Sequence, residues 1–148
     1  MDHNQIFAIS AQGMSLERTR LEVASLNLAN THTLVGPDGS GYQPLSVVAR
    51  STSLGLGGNV DARDFGARVN QALQGSVSVV ASPRAPRQVY EPGHPSANAN
   101  GFVFYPNVDP ATEMMTVMNA TRAYEANVAA MNAARAMAQK ALEIGGTR

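Results

Sequence analysis

The segment Met114–Leu142, MMTVMNATRAYEANVAAMNAARAMAQKAL, decides the fold class of this chain. Within it one column of positions advances by alternating steps of three and four residues, a spacing that keeps a single stripe of a helix facing a partner helix. The column consists of Met114, Val117, Thr121, Tyr124, Val128, Met131, Arg135, Ala138 and Leu142. The pattern predicts a long helix that serves assembly rather than catalysis.

The ends of this helix are marked by residues with known terminal preferences. Asp109 is a good N-cap, Pro110 suits the first helical position, and Glu113 adds negative charge to the first turns. The pair Gly145-Gly146 is expected to end the helix after Ile144. At 1.5 Å per residue the helix would extend for about 50 Å, a length that indicates a coiled coil.

A second long helix is predicted from Asn4 to Asn30, where only Gly13 disfavours it, by about 1 kcal/mol relative to Ala. Two apolar columns with a spacing of seven residues run along it, one of Phe7, Met14, Leu21 and Leu28 and one of Ile9, Leu16 and Val23. Positions two apart on a helix differ by about 200°, so the columns face nearly opposite directions. A helix that is apolar on two faces is buried between two partners. One partner is the C-terminal helix, and the second is expected from outside this small chain.

Between the helices the sequence changes to short extended segments separated by turns. Strands are predicted in the segment after Gly41, at Ser76–Ala81, at Gln88–Tyr90 and at Gly101–Tyr105. Ser51–Gly58 is predicted to be a mobile loop, and Asp64–Gln74 a short helix or irregular structure. The predicted fold is mainly α with a small β-rich insert. Residues 1–33 and 108–148 form a helical core domain with the two long helices paired as in a coiled coil, and residues 34–107 form the insert.

Composition limits the range of functions. The 148 residues carry a formal net charge of zero, so no basic field exists to collect phosphates, and nucleic acid is not an expected partner. The absence of Cys excludes disulfides, thiol catalysis and Cys-ligated zinc. The N-terminus has neither a basic region nor an unbroken apolar run, and no segment approaches the roughly 20 apolar residues of a membrane span. We therefore expect a soluble chain, or one that leaves the cell by a route that reads no Sec signal.

No group of residues in the sequence has the spacing of a catalytic or metal site. The candidates are the isolated His3, His32 and His94, the carboxylates Asp61 and Asp64, the glycines of Gly55–Gly58, and the hydroxyls of Ser10 and Ser15. The histidines lack metal-ligand spacing, the glycines lack the Lys-Ser/Thr of a phosphate loop, and the serines have no nearby base. We expect no enzyme activity, no cofactor and no metal.

Several motifs resemble those of a known family. Ser25–Asn30, SLNLAN, resembles a signature of the flagellar axial proteins of the rod and hook class, and Glu113–Met115 and Arg122–Asn127, RAYEAN, resemble their final helix. Val89–Pro95, Gly101–Val103 and Pro106–Asp109 are similar to segments of the basal-body rod members of that class. The resemblance extends over nearly the whole chain. Leu26, where a small polar residue is usual, and the loop Ser51–Gly58 depart from it.

The resemblance implies a structural subunit of the proximal rod. Such subunits pair their terminal helices into an inner core, pass unfolded through the flagellar type III export apparatus, polymerise in the periplasmic space and transmit torque. The implied partners are other copies of the chain, other rod proteins, the membrane-ring and adaptor proteins of the basal body, and the export apparatus, without direct membrane insertion. The residues expected at subunit contacts are Phe7, Met14, Leu21, Asn27, Leu28, Asn30, Met114, Val117, Tyr124, Asn127, Val128, Met131 and Leu142.

Two alternatives of other classes remain at this point. A coiled-coil adaptor or secretion-linked binding protein of another system would keep the two helices without the family. An enzyme built on the β-rich insert would need a ligand near His94 and Asp61.

Overall fold

The computed structural model describes residues 3–50 and 76–145, with side chains from Phe7 to Arg50 and from Ser76 to Ile144. Two long helices, α1 (His3–Ala29) and α2 (Pro110–Gly145), enclose four short strands in sequence. The strands are β1 (Leu45–Arg50), β2 (Ser76–Ala81), β3 (Arg87–Tyr90) and β4 (Phe102–Tyr105). The predicted fold class, mainly α with a small β-rich insert, is confirmed. The predictions for Ser51–Gly58 and Asp64–Gln74 lie outside the described residues.

At the start of α2 and at the end of α1, side chains supply hydrogen bonds to backbone groups that have no partner within the helix. At the start of α2, Asp109 Oδ1 accepts from the Ala111 amide at 3.2 Å and Asp109 Oδ2 accepts from the Thr112 hydroxyl at 2.6 Å. This is the predicted N-cap. At the end of α1, the hydroxyl of the buried Thr31 lies 2.9 Å from the Leu28 carbonyl and 3.1 Å from that of Asn27. The Asn27 and Leu28 carbonyls near the end of α1 therefore have partners within the chain.

The strands form two separate antiparallel hairpins. In the first, β1 pairs with β2 so that Leu45 lies opposite Ala81 and Arg50 opposite Ser76. In the second, β3 pairs with β4 from Arg87 opposite Tyr105 to Tyr90 opposite Phe102. Each sheet has two strands among residues 3–50 and 76–145.

The β3–β4 hairpin is closed by a turn that requires glycine. Gly101 has φ of +78°, and a Cβ there would come within 2.9 Å of the Tyr90 ring. The Tyr90 ring instead meets the Phe102 ring edge-on, with the centroids 5.4 Å apart. The hairpin is joined to the loop after α1, because the Val35 amide donates to the Phe104 carbonyl at 3.1 Å.

Few apolar side chains of the described residues are buried. The buried hydrophobic residues of the described part are Val23, Ala24, Val103, Tyr105, Val108, Ala120 and Ala134. Three of them lie in or just after β4, and the helix pair contributes one Val and three Ala. No helix within residues 3–50 or 76–145 combines the length and the apolar character needed to cross a membrane.

Candidate assembly surface

The contact between α1 and α2 is made by small and polar residues. Along α1 and the turn that follows it, one set of buried positions recurs every seven residues: Ser10, Glu17, Ala24 and Thr31. On α2 the matching column is Glu113, Ala120, Asn127 and Ala134, of which the two alanines are fully buried. We call these two columns the seam. Small side chains let two helix backbones approach closely, but they bury little apolar area.

Two contacts between the helices, each made by a seam residue of α2, fix an antiparallel register. Asn27 Nδ2 donates to Glu113 Oε1 at 3.1 Å. A Cβ added to Gly13 would lie 2.8 Å from Asn127 Nδ2, so the Asn127 amide packs directly on the Gly13 backbone. The two contacts are 14 residues apart on each helix, since 27 − 13 and 127 − 113 are equal. Both helices therefore advance by two heptads between the same two contacts.

The predicted apolar column of α2 lies beside the seam and not within it. It is rotated by roughly a quarter turn from the seam, at 100° per residue. Met114, Tyr124 and Leu142 are 57%, 40% and 76% exposed. Val117, Val128 and Met131 are half-buried at the edge. The column therefore borders the seam, whose own positions are occupied by alanines and polar residues.

One apolar column of α1 lies on the same side of the helix pair. Phe7, Met14, Leu21 and Leu28 are all half-buried. Leu21 and Tyr124 line a common open groove of about 490 Å³, with Arg18 and Glu22 at its rim. This side, which we call the flank surface, comprises Phe7, Met14, Leu21, Leu28, Met114, Val117, Tyr124, Val128, Met131 and Leu142.

The other apolar column of α1 faces the β1–β2 hairpin of the same chain. Val23 is buried, and it lines a cavity of about 210 Å³ with Leu45 and Val47. The expectation that the second partner of α1 must come from outside the chain is therefore wrong for Val23. The hairpin covers this face of α1 incompletely. Ile9 is 50% exposed and lines an open groove of about 270 Å³ together with Val77.

Asn27 lies inside the subunit, and its amide joins three elements. Asn27 Oδ1 accepts from the Tyr42 hydroxyl at 2.7 Å and from the Leu45 amide at 2.9 Å. Asn27 Nδ2 donates to the Leu45 carbonyl at 2.9 Å and to Glu113 at 3.1 Å. Asn27 is 1% exposed. It is thus not available as the surface contact that the sequence predicted.

The electrostatic environment of this amide is set by burial and by Glu113. Burial raises the pKa of the Tyr42 phenol, and the nearby Glu113 carboxylate raises it further. The neutral phenol is therefore favoured, and it is the form that donates to Asn27 Oδ1. The other predicted asparagines behave differently. Asn30 Nδ2 donates to the Leu26 carbonyl of its own helix, and Asn127 is part of the seam.

The described histidines have structural contacts. His32 meets the Tyr105 ring edge-on, with the centroids 6.4 Å apart, and His94 Nδ1 accepts from the Ser96 amide at 3.1 Å. In the part of the chain that the structure describes, no three His, Asp or Glu side chains converge as metal ligands. Asp61, Asp64 and Gly55–Gly58 lie outside that part.

The C-terminal part of the chain matches a known protein family. A family model described as the C-terminal part of the flagellar basal body rod FlgEFG proteins matches residues 99–144. The match extends over β4 and nearly all of α2. The class is that of flagellar basal-body rod proteins.

Full-length relatives give the family. The chain is 39% identical over 142 residues to the flagellar basal-body rod protein FlgC of Salmonella typhimurium, covering 95% of this chain and 96% of that protein. It is 38% identical over 150 residues to FlgC of Bacillus subtilis, covering 93% and 94%, and 36% identical over 140 residues to FlgC of Escherichia coli O6:H1, covering 95% and 96%. The chain belongs to the family of the flagellar basal-body rod protein FlgC.

This assignment settles the broad function. A member of this family is a structural subunit located in the rod of the flagellar basal body, and it is not an enzyme. Other flagellar proteins are therefore its expected neighbours. The adaptor of another system and the enzyme built on the insert, which the sequence left open, are both ruled out by the family.

Proposed function

We propose that this rod subunit assembles through the flank surface. The observation that carries the proposal is that the flank surface gathers ten apolar residues on one side of the helix pair, whereas the seam holds small and polar residues. Since the β1–β2 hairpin contacts the opposite side of α1, the flank surface is left for a neighbouring subunit.

The magnitude supports an intersubunit contact. Full burial of a Leu, Met, Val or Phe side chain contributes about 1.5–3 kcal/mol. Four half-buried side chains on α1 and the exposed Met114, Tyr124 and Leu142 therefore offer several kcal/mol, from which the cost of ordering two subunits is subtracted. The seam offers much less, because alanines have little area to bury.

The neighbours that we propose for this surface are other copies of the chain and other rod proteins, with the membrane-ring and adaptor proteins of the basal body at the proximal end. We further propose that residues 1–33 and 108–148 form the inner helical core and residues 34–107 the insert. Delivery by the flagellar type III export apparatus precedes assembly, and the assembled helices transmit torque. A helix pair with a weakly apolar seam suits a chain that is exported unfolded and completed by its neighbours.

The test is Leu21→Asp, which charges the flank surface without altering the seam. Export to the medium should continue, whereas rods should not assemble and the cells should not swim. Ser15→Asp is the matched control, because Ser15 is exposed on the same helix away from both columns, and it should leave motility intact. Normal motility in cells that carry only the Leu21→Asp chain would refute the flank surface as an assembly contact.

A further inference from the structure

The Asn27 amide clamps the first residue of β1 in the manner of a neighbouring strand. Leu45 uses both its amide and its carbonyl on this one side chain. All four hydrogen bonds of the amide are made, two of them to Leu45, one to Tyr42 and one to Glu113 of α2. A buried amide that keeps every partner holds a single geometry, and loss of any partner leaves a buried group unsatisfied.

The rest of the hairpin is held loosely. Every residue of β2 is exposed, including Val77 at 40% and Val79 at 46%, although both lie opposite β1 residues that line the grooves along α1. The one buried apolar residue of α1 on this side of the helix that the structure describes is Val23, which lines a cavity with Leu45 and Val47. The position of the hairpin depends on the polar clamp more than on burial of β2.

We propose that Asn27 is a latch that closes fully only when α2 lies against α1, so that firm docking of the β1–β2 hairpin is conditional on helix pairing. Glu113 supplies the fourth partner, and α2 also helps to exclude water from the amide. When α2 is absent, water competes for the Leu45 groups and the clamp weakens. The biological role of the latch rests on the proposed function: once assembly holds the helices together, the latch fixes the hairpin.

The hydrogen-exchange rate of the Leu45 amide reports whether the latch is closed, because that amide donates to Asn27 Oδ1. In the wild-type chain, an excluded osmolyte added stepwise should pair the helices and protect the Leu45 amide in parallel. In Asn27→Ala, the side chain at 27 neither accepts from the Leu45 amide nor donates to the Leu45 carbonyl. Exchange at Leu45 should then be about tenfold faster or more, with the helix amides still protected.

Asn30→Ala is the matched control, since the described bonds of the Asn30 side chain are to Leu26 and Thr33 near its own helix end. It should leave Leu45 protection unchanged. The second arm is Gly13→Leu, which pushes the helices apart 14 residues from the latch. It should speed exchange at Leu45 in the wild-type background and add nothing in the Asn27→Ala background.

Protection of the Val103 amide in β4 shows in each variant that the remaining fold is intact. Two results overturn the latch. One is an exchange rate of the Leu45 amide that is the same in the Asn27 variant as in the wild-type chain. The other is a Leu45 amide that stays protected although Gly13→Leu has separated the helices. Neither depends on whether Leu21→Asp blocks rod assembly, so the latch and the flank surface fail separately.

Discussion

The Asn127 side chain of α2 packs directly on the backbone of Gly13 in α1. A Cβ at residue 13 would lie 2.8 Å from Asn127 Nδ2 and 2.9 Å from Asn127 Oδ1. Contacts below 3.0 Å are not tolerated by real Cβ atoms, so the amide would have to move. The glycine that appears unfavourable in an isolated helix is therefore the point at which the two helices fit together.

A double-mutant cycle tests this contact. Gly13→Ala should gain little stability in the wild-type chain, because the new methyl group displaces Asn127. In the Asn127→Ala background the same change should stabilise the helix pair by about 1 kcal/mol, the difference in helix propensity between Gly and Ala. Urea unfolding followed by helical circular dichroism, in a buffer with an excluded osmolyte that favours the paired helices, measures both values.

Ser15→Ala, at an exposed position two residues further along α1, provides the control. Its effect should be the same in both backgrounds. Equal effects of Gly13→Ala with and without Asn127 would contradict the contact.

The elements were predictable from local patterns, because the signals for them are local. Asp109 and Pro110 mark the start of α2, and the alternation of Ser76–Ala81 gave β2 with its observed bounds. Strand pairing was not predicted. The register of Leu45 with Ala81 joins residues 36 apart, and no turn signal between them specifies it.

The orientation of the helices was not predictable from apolar periodicity. The columns of Leu21 and Tyr124 are strongly apolar, yet the residues that the helix pair buries include Ala24 and Ala120. Periodicity shows which stripes avoid water, but it does not distinguish a partner within the chain from a neighbouring subunit. A usable signal was the second repeat of seven, Ser10, Glu17 and Ala24, whose small and polar members lie between the apolar columns.

Alkaline pH should destabilise the chain through Tyr42. Burial and Glu113 raise the pKa of its phenol above the usual value of about 10. A raised folded pKa means that the folded state holds the proton more tightly, so this contribution is fully present below about pH 10 and is lost as pH rises through the folded pKa. Unfolding in the osmolyte buffer across this range should show a smaller loss for Tyr42→Phe than for the parent chain.

The same variant has a cost at neutral pH, since it removes the hydrogen bond to Asn27, worth about 1 kcal/mol. Tyr105→Phe provides the comparison. Burial and the hydrogen bond to Glu91 also raise the pKa of Tyr105, whose hydroxyl bonds to Glu91 in the β3–β4 hairpin and not to Asn27. An identical pH dependence for the parent and Tyr42→Phe chains would exclude ionisation of Tyr42 as a cause.

Removal of the α2 cap should lower the melting temperature. Hydrogen bonds from the Thr112 hydroxyl and the Ala111 amide hold the pKa of the Asp109 carboxyl below its usual value. The stabilisation is therefore present above about pH 4 and is lost as pH falls through the lower folded pKa. Asp109→Ala should melt at lower temperature at neutral pH, and Asp109→Asn, which keeps an acceptor, should lose less. An Asp109→Ala chain that melts like the parent at neutral pH would show that the cap is dispensable.

The dilute subunit should protect its helices poorly until neighbours cover the flank surface. Only Val23, Ala24, Ala120 and Ala134 are buried apolar residues in the described parts of α1 and α2. Ordering one residue costs about 1–2 kcal/mol of backbone entropy, which so little buried area offsets poorly. Hydrogen exchange without osmolyte should be fast across residues 4–30 and 110–144 in dilute monomer and slow in assembled rods, with β4 as the internal reference. Strong protection of both helices in the dilute monomer would contradict completion on assembly.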